Sequence, residues 1–462
     1  MAKIPEKRRM GRTVEEMQED FWRLSDAIWA DAEPGLREHK SSRRVADLLA
    51  SRDFRVERGV AGMATAFVAT WSSGTGRPVV GLTAEYDALP GLSQEAGVPR
   101  RRPLEEGAPG HGCGHNTMAA AQALAAVAVQ KIACDSGLDI TLKYFGCPAE
   151  ELTLSRPFMV REGLFRDVDV VIDCHADGLF KTTYGPLGTA LCSILFTFEG
   201  RTAHAAWKPW LGRSAADAVE LLHAGTERMR EHLPPTSRTH WVTRSSGDVP
   251  NVVPDHASTW YMIRDLDENL EALVAWVKEC AAGAALMTQT RCTTRVLSAV
   301  HQRFYNRTLA SLLFENIQEV GRPIYTDAEE DFARALQKEA GYPMKGMDYP
   351  LLLVDAAKDE LRASSSDVGD VCLVVPTGQV SLPVWVPGSP AHHWTVTAAA
   401  STSIAHKGIT AGAKAVVFTV GDLLSDAESL RRVQEEFAEL SRQRPYRSFL
   451  PADAELPFDF FT

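Results

Sequence analysis

Between residues 66 and 174, short apolar runs bounded by Gly- and Ser-rich turns alternate with segments of helical period. That alternation constrains the fold more than any other feature of the chain. Residues 66–71, 78–84, 139–146 and 168–174 read as buried strands. Trp22, Leu24, Ile28 and Trp29 recur near helical spacing within 14–53, and the Ala-rich stretch 116–132 reads as a helix. Residues 92–110, rich in charge and Pro, read as a loop. Strands alternating with helices predict an α/β fold with a mainly parallel central sheet flanked by helices.

Near residue 188 the texture changes. Residues 192–199 (CSILFTFE) alternate like a strand with one wet face, and 214–233 form an amphipathic helix that Ser214 and Asp217 open as a capping box. A strand at 257–263 and a helix at 265–286 follow. Strand, helix, strand, helix is enough for a small α+β domain. The expectation is an insertion, residues 188–300, that divides a larger domain into 1–187 and 301–462. Residues 371–375 and 382–386 resume the strands, and helices over 397–441 close the fold.

Composition narrows the function classes. Hydrophobic residues make up 45% of the 462, enough for extensive cores, so disorder is excluded for most of the chain. The net charge of −11 argues against nucleic acid as a partner, which needs a basic face. No run of 18 apolar residues predicts a membrane span, and no apolar segment follows the basic N-terminus as a secretory signal would require. The eight cysteines include no C-x-x-C pair and do not suggest a disulfide framework, so a reducing, cytoplasmic setting is expected. A cysteine beside histidines then becomes a metal or catalytic candidate.

Four motifs at strand ends or in loops carry such groups. His111-Gly-Cys113-Gly-His115-Asn116 opens the Ala-rich helix, and its glycines let Cys113 and His115 turn toward one point. Thiolate and imidazole suit zinc, and imidazole also suits manganese. Cys147-Pro-Ala-Glu150-Glu151 follows a strand; in extended backbone the two carboxylates would point opposite ways, one toward a metal and one free as general base. A base beside a metal is what amide hydrolysis at neutral pH requires. Asp173-Cys-His175 ends another strand, where α/β sites form. Gly388-Ser-Pro-Ala-His392-His393 offers two adjacent histidines. In the insertion, His204 follows the first strand, while Asn251 and Arg264 flank its third element; each alone reads as structural.

Taken in order, the strings GLTAEYDALPGLSQEAG, GHGCGHN, FGCPAEE, GRTAHAA, LGRSAADAV, SSSDVGDV and TSIAHKG resemble the metal-dependent aminoacylase/carboxypeptidase family of amidohydrolases. The resemblance spans residues 15–445 and is nearest the branch that cleaves N-acyl amino acids, the aminobenzoyl-glutamate and indole-acetyl-amino-acid hydrolases among them. It implies that the insertion is a lid and dimerisation domain. It implies Cys113, His115, Glu151, His175 and His392 as ligands of one or two divalent ions, zinc or manganese. Glu150 would be the general base and His204 the oxyanion support, reaching the active site of a partner subunit in a dimer. Asn251 and Arg264 would hold the substrate. The implied reaction is cleavage of an N-acyl amino acid, with an aromatic acyl group such as aminobenzoyl, by water activated at the metal. The alternatives are another small amide or aromatic amine on the same site, a non-catalytic partner subunit, and a hetero-oligomer in place of a homodimer. Where many relatives carry His-x-Asp-x-x-Pro, this chain has Glu85-Tyr-Asp87-Ala-Leu-Pro90, which leaves open whether Glu85 is a ligand.

Overall fold

The computed structural model describes residues 4–358 and 364–461. Thirteen strands are assigned among them: β1 Arg55–Arg58, β2 Phe67–Ser73, β3 Val79–Ala84, β4 Ile140–Gly146, β5 Val170–Asp177, β6 Lys181–Leu187, β7 Ala190–Glu199, β8 Arg238–Ser245, β9 His256–Asp265, β10 Arg291–Val300, β11 Arg303–Tyr305, β12 Leu352–Asp355 and β13 Thr377–Pro383. Nine build one sheet in the order β1-β2-β4-β3-β5-β13-β6-β11, with β12 beside β6. Its centre, β4-β3-β5-β13, is parallel, and antiparallel strands flank it on both sides. This is the α/β fold the alternation predicts.

The central strands are buried on both faces, so successive side chains enter different cores. On β4, Ile140, Leu142 and Tyr144 join the core beneath the long helices, while Phe145 faces the opposite core with Phe158 and Val171. The helix His115–Ser136 is buried along most of its length, between β3, β4 and β5 on one side and the helices Lys7–Asp31 and Ser403–Ser425 on the other. Its alanines explain that position, because small side chains let helices and sheet approach closely. This helix and Ser403–Ser425 are the two described helices long and apolar enough to cross a membrane, and both lie mostly inside the fold.

The second sheet is antiparallel throughout, in the order β10-β7-β9-β8. Cys192, Ile194, Phe196 and Phe198 of β7 pack on the helices Ala215–Met229 and Asp267–Thr288. Ser214 caps the first of these, its Oγ accepting from Asp217 N at 3.2 Å. The unit therefore has four strands and two helices, not two and two. The strands the sequence reading lacks, β8 and β10, are the edges, where one flank meets solvent and polar residues such as those of RTHWVTRS are tolerated.

Two other expectations are corrected. Residues 371–375 are not a strand: Val368–Cys372 is a short helix whose apolar side chains are buried. Short apolar runs do not distinguish buried helix from buried strand by period. The last parallel strand is Thr377–Pro383, beginning before the expected 382–386, because its small residues Gly378 and Ser381 do not advertise a strand although every position is buried.

Candidate metal centre

The parallel strands deliver the chemistry-bearing residues at their carboxyl ends. Glu85 and Asp87 follow β3, Glu150 and Glu151 follow β4, His175 lies near the end of β5, and His392 lies beyond β13. Cys113 and His115 arrive at the N-terminus of the central helix. Gly114 makes that turn possible: its φ is 71°, and a Cβ there would sit 2.8 Å from the Cβ of Ala176 and against the Trp385 ring.

His115 is fully buried, and its Nδ1–H donates to Asp87 Oδ1 at 2.8 Å. That leaves Nε2 as an acceptor with no hydrogen-bond partner. Around it stand Glu85 Oε2 at 3.4 Å and Glu150 Oε2 and Glu151 Oε1, each at 3.9 Å. Glu85 Oε2 and Glu151 Oε1 are also buried without partners. Four converging acceptor atoms are mutually repulsive, and what satisfies them together is a cation.

Three groups of side chains offer ligand atoms lying within 4.8 Å of one another: Cys113, His115 and His175; Cys113, Glu151 and His392; and Glu85, His115 and Glu150. His175 Nδ1 donates to Ala176 O at 2.8 Å, so Nε2 faces Cys113 Sγ, 3.8 Å away. Burial lowers both His175 and His392, which keeps these imidazoles neutral at pH 7 as ligands must be. Burial pushes the Cys113 thiol up to about 12, with Glu151 acting the same way; a divalent ion is what deprotonates such a thiol. The donor set thus fits a divalent metal.

All five proposed ligands come together. His392 rather than His393 faces the cluster, its Nε2 3.2 Å from Glu151 Oε2; His393 Nδ1 instead meets Thr395 Oγ1 at 2.9 Å. His392 takes a left-handed φ of 61° and is held there by its N–H donating to Gly112 O at 2.8 Å. Glu150 and Glu151 are not extended, as expected, but start a 3-10 turn after Ala149, itself at φ 56°. In so tight a turn neighbouring side chains do not oppose one another, so both carboxylates reach toward His115.

Asp87, Arg156 and Asp367 carry no role in the sequence reading, and Glu85 is left open there. Asp87 holds His115 through one oxygen and accepts from Glu151 N at 2.9 Å through the other, tying two candidate ligands together. Glu85 gives its second oxygen to the fully buried Arg156, 2.7 Å away, and Arg156 Nη1 donates to Asp367 Oδ1. The spacing Glu85-x-Asp87 after a strand was a usable signal for Asp87. Arg156 gave none, since nothing local marks an arginine whose partners lie 71 and 211 residues away.

Beside the cluster opens a cavity of about 640 Å³ between the two sheets. Glu150 and Arg264 line it, and the small sheet also sends Arg238, His240 and Met262. His204 and Asn251 do not. They sit together elsewhere on the small-sheet unit, where Ala205 N donates to Asn251 O at 3.0 Å, and both are exposed.

Residues 190–286 match the peptidase dimerisation domain of the M20 family. The p-aminobenzoyl-glutamate hydrolase of Escherichia coli (strain K12) has two different subunits, one of which is 34% identical over 464 residues, covering 95% of this chain and 96% of that one. The chain belongs to the M20 peptidase family. The Xaa-Arg dipeptidase of Mus musculus is 27% identical over 93% of this chain and 92% of its own length. Among solved structures, an aminobenzoyl-glutamate utilization protein from Klebsiella pneumoniae aligns with TM-score 0.61 at 17% identity, over 88% of this chain and 97% of that one. A dinuclear metal-binding M20 peptidase from Bacillus subtilis aligns with TM-score 0.54 at 15% identity, over 88% and 99%. As an M20 protein the chain is a metal-dependent hydrolase of amide or peptide bonds.

Proposed function

We propose that this M20 enzyme cleaves the amide bond of an N-acyl amino acid with an aromatic acyl group, aminobenzoyl-glutamate being the first substrate to test. The observation that carries the reading is the buried His115 Nε2, ringed by carboxylate oxygens beside a cavity that also holds Glu150 and Arg264. Cys113, His115, Glu151, His175 and His392 would hold Zn²⁺ or Mn²⁺, in one or two copies, which would supply Lewis acidity for the hydrolysis. Glu150 takes the proton of the attacking water and passes it to the leaving amine. Arg264 receives the carboxylate of the amino-acid half.

The active form is a homodimer built through residues 188–300. His204 stands outside its own cavity in an apolar patch, with Trp207 69% and Trp210 68% exposed. A patch of that kind calls for a cover, and His204 of the partner subunit supports the oxyanion. Because the Escherichia coli hydrolase pairs two different subunits, a paired, different chain stays among the outcomes to be measured.

Mass spectrometry of products from a panel of aminobenzoyl amino acids and carboxylate-free aromatic amides tests the reading on the purified chain. Release of the amino acid, abolished by chelator and restored by Zn²⁺ or Mn²⁺, is expected. Turnover of the carboxylate-free amides alone, or full activity after metal is stripped, would overturn it.

A further inference from the structure

The cavity carries more positive charge than one carboxylate needs. Of its cationic residues, Lys181 is neutralised by Asp177, 2.8 Å away. Arg238 is exposed and donates to the carbonyls of Pro235 and Ser237 in its own turn. Arg264 and Arg303 differ. Neither has an acidic partner among the described residues. Arg264 Nη1 donates to Ser365 Oγ at 2.8 Å, and its Nη2 meets Met262 Sδ at 3.6 Å. Arg303 Nη2 donates to Ser364 Oγ at 2.8 Å and to Ser364 O at 3.4 Å. Arg303 is only 8% exposed, and its Nε is buried with no hydrogen-bond partner among the described residues.

Two guanidiniums thus hang on consecutive serines, one from β9 of the small sheet and one from β11 of the large. They sense each other: burial lowers Arg264 from its ordinary value, and the charge of Arg303 lowers it further against the pull of Glu150. Burying two like charges side by side on neutral hydroxyls is costly, and an unsatisfied N–H adds to the cost. A ligand with two anionic groups removes both costs at once, because each guanidinium can fork to a carboxylate.

We propose that Arg303 determines specificity by receiving a second carboxylate, on the side chain of the amino-acid half, while Arg264 receives the α-carboxylate. The inference rests on the N-acyl amino acid reading above, and it makes the preferred substrates acyl derivatives of dicarboxylic amino acids. The side chain of such a residue reaches from the α-carbon toward the β11 edge, where Leu187, paired with Arg303 across β6 and β11, closes the wall.

The experiment compares 4-aminobenzoyl-glutamate with 4-aminobenzoyl-glutamine, which differ in one charge at nearly equal shape. The wild-type chain should prefer glutamate in kcat/KM. Arg303→Gln should reduce that preference by about 10²-fold, mainly through a raised KM for the glutamate compound. Arg264→Gln should weaken both compounds alike. A preference that is absent in the wild type, or that survives Arg303→Gln, would overturn the proposal. If Arg303→Gln does not fold, Arg303→Lys, which keeps the charge and loses the fork, should cut the preference about tenfold, and no change would count against the idea. If the wild type hydrolyses neither compound, the aminobenzoyl amino acid reading fails by itself. Calorimetric binding of glutarate against butyrate, with and without Arg303→Gln, then still decides the second site: equal binding of the two acids by the wild type would overturn it.

Discussion

Glu150 and Glu151 are chemically identical neighbours, and what separates them is which atoms they face. Glu151 Oε2 lies 3.2 Å from His392 Nε2 and belongs to the Cys113 group, which is the placement expected of a ligand. Glu150 and Glu151 both line the cavity, but Glu150 falls in the candidate group of Glu85 and His115, away from Cys113. Glu150→Gln is therefore expected to keep its metal content by elemental analysis while kcat falls about 10²–10⁴-fold. Glu151→Gln should lose metal instead, and the reverse pattern would mean the roles are exchanged. Asp87 belongs to none of the three candidate ligand groups and does not line the cavity, yet it fixes the His115 tautomer and the Glu151 backbone. Asp87→Asn should weaken metal binding about 10–100-fold in a chelator competition, with the fold intact by circular dichroism. An affinity equal to wild type would show that His115 is held by packing alone.

At the scale of elements, what the sequence shows depends on how each element is buried. The parallel strands β3, β4 and β5 are legible because both faces are buried and the runs stay apolar. The edge strands β8 and β10 are illegible because half their surroundings are water, and the polar string around Arg238 looks like loop. The ligand motifs are legible because each is local, a few residues at one strand end. The Glu85–Arg156–Asp367 chain is not, since only the finished fold brings three distant segments together. Another such long-range contact sits where β10 passes into β11. His301 Nδ1 meets Asp267 Oδ2 at 2.9 Å, at the start of the helix Asp267–Thr288, and its Nε2 meets Arg447 O at 3.0 Å. Both ring nitrogens face acceptors, which suits the imidazolium. Burial works against that charge, but the Asp267 hydrogen bond and the charges of Asp370 and Asp267 outweigh it and raise His301. A raised folded value favours the folded state below the unfolded pKa of about 6.5, and that contribution is lost as pH rises through the folded value. The melting temperature of the wild type should exceed that of His301→Gln most at pH 6 and converge on it as pH is raised toward 9. A gap that widens with pH would mean the ring is neutral in the folded protein.

For the molecule as a whole, the decisive fact is that the site is built from pieces that do not all belong to one surface. The large sheet supplies the candidate ligands and Glu150, and the small sheet supplies Arg264 across the cavity. His204 belongs to the small-sheet unit yet does not line that cavity, and it stands among exposed tryptophans. If the dimer places it in the neighbouring site, His204→Ala should lower kcat about 10²–10³-fold without touching metal content. Mixing two nearly dead chains gives the sharper result. In a dimer of one Glu150→Gln chain and one His204→Ala chain, the second chain's site keeps its own Glu150 and borrows His204 from the first. The other site lacks both. Random pairing makes half the dimers mixed, each with one working site in two, so activity should return to about a quarter of the wild-type value. Recovery should track the fraction of mixed dimers measured by native mass spectrometry. Mixed dimers that form without recovered activity would place His204 in its own chain's chemistry or outside the reaction, and would return the apolar patch to a purely structural contact.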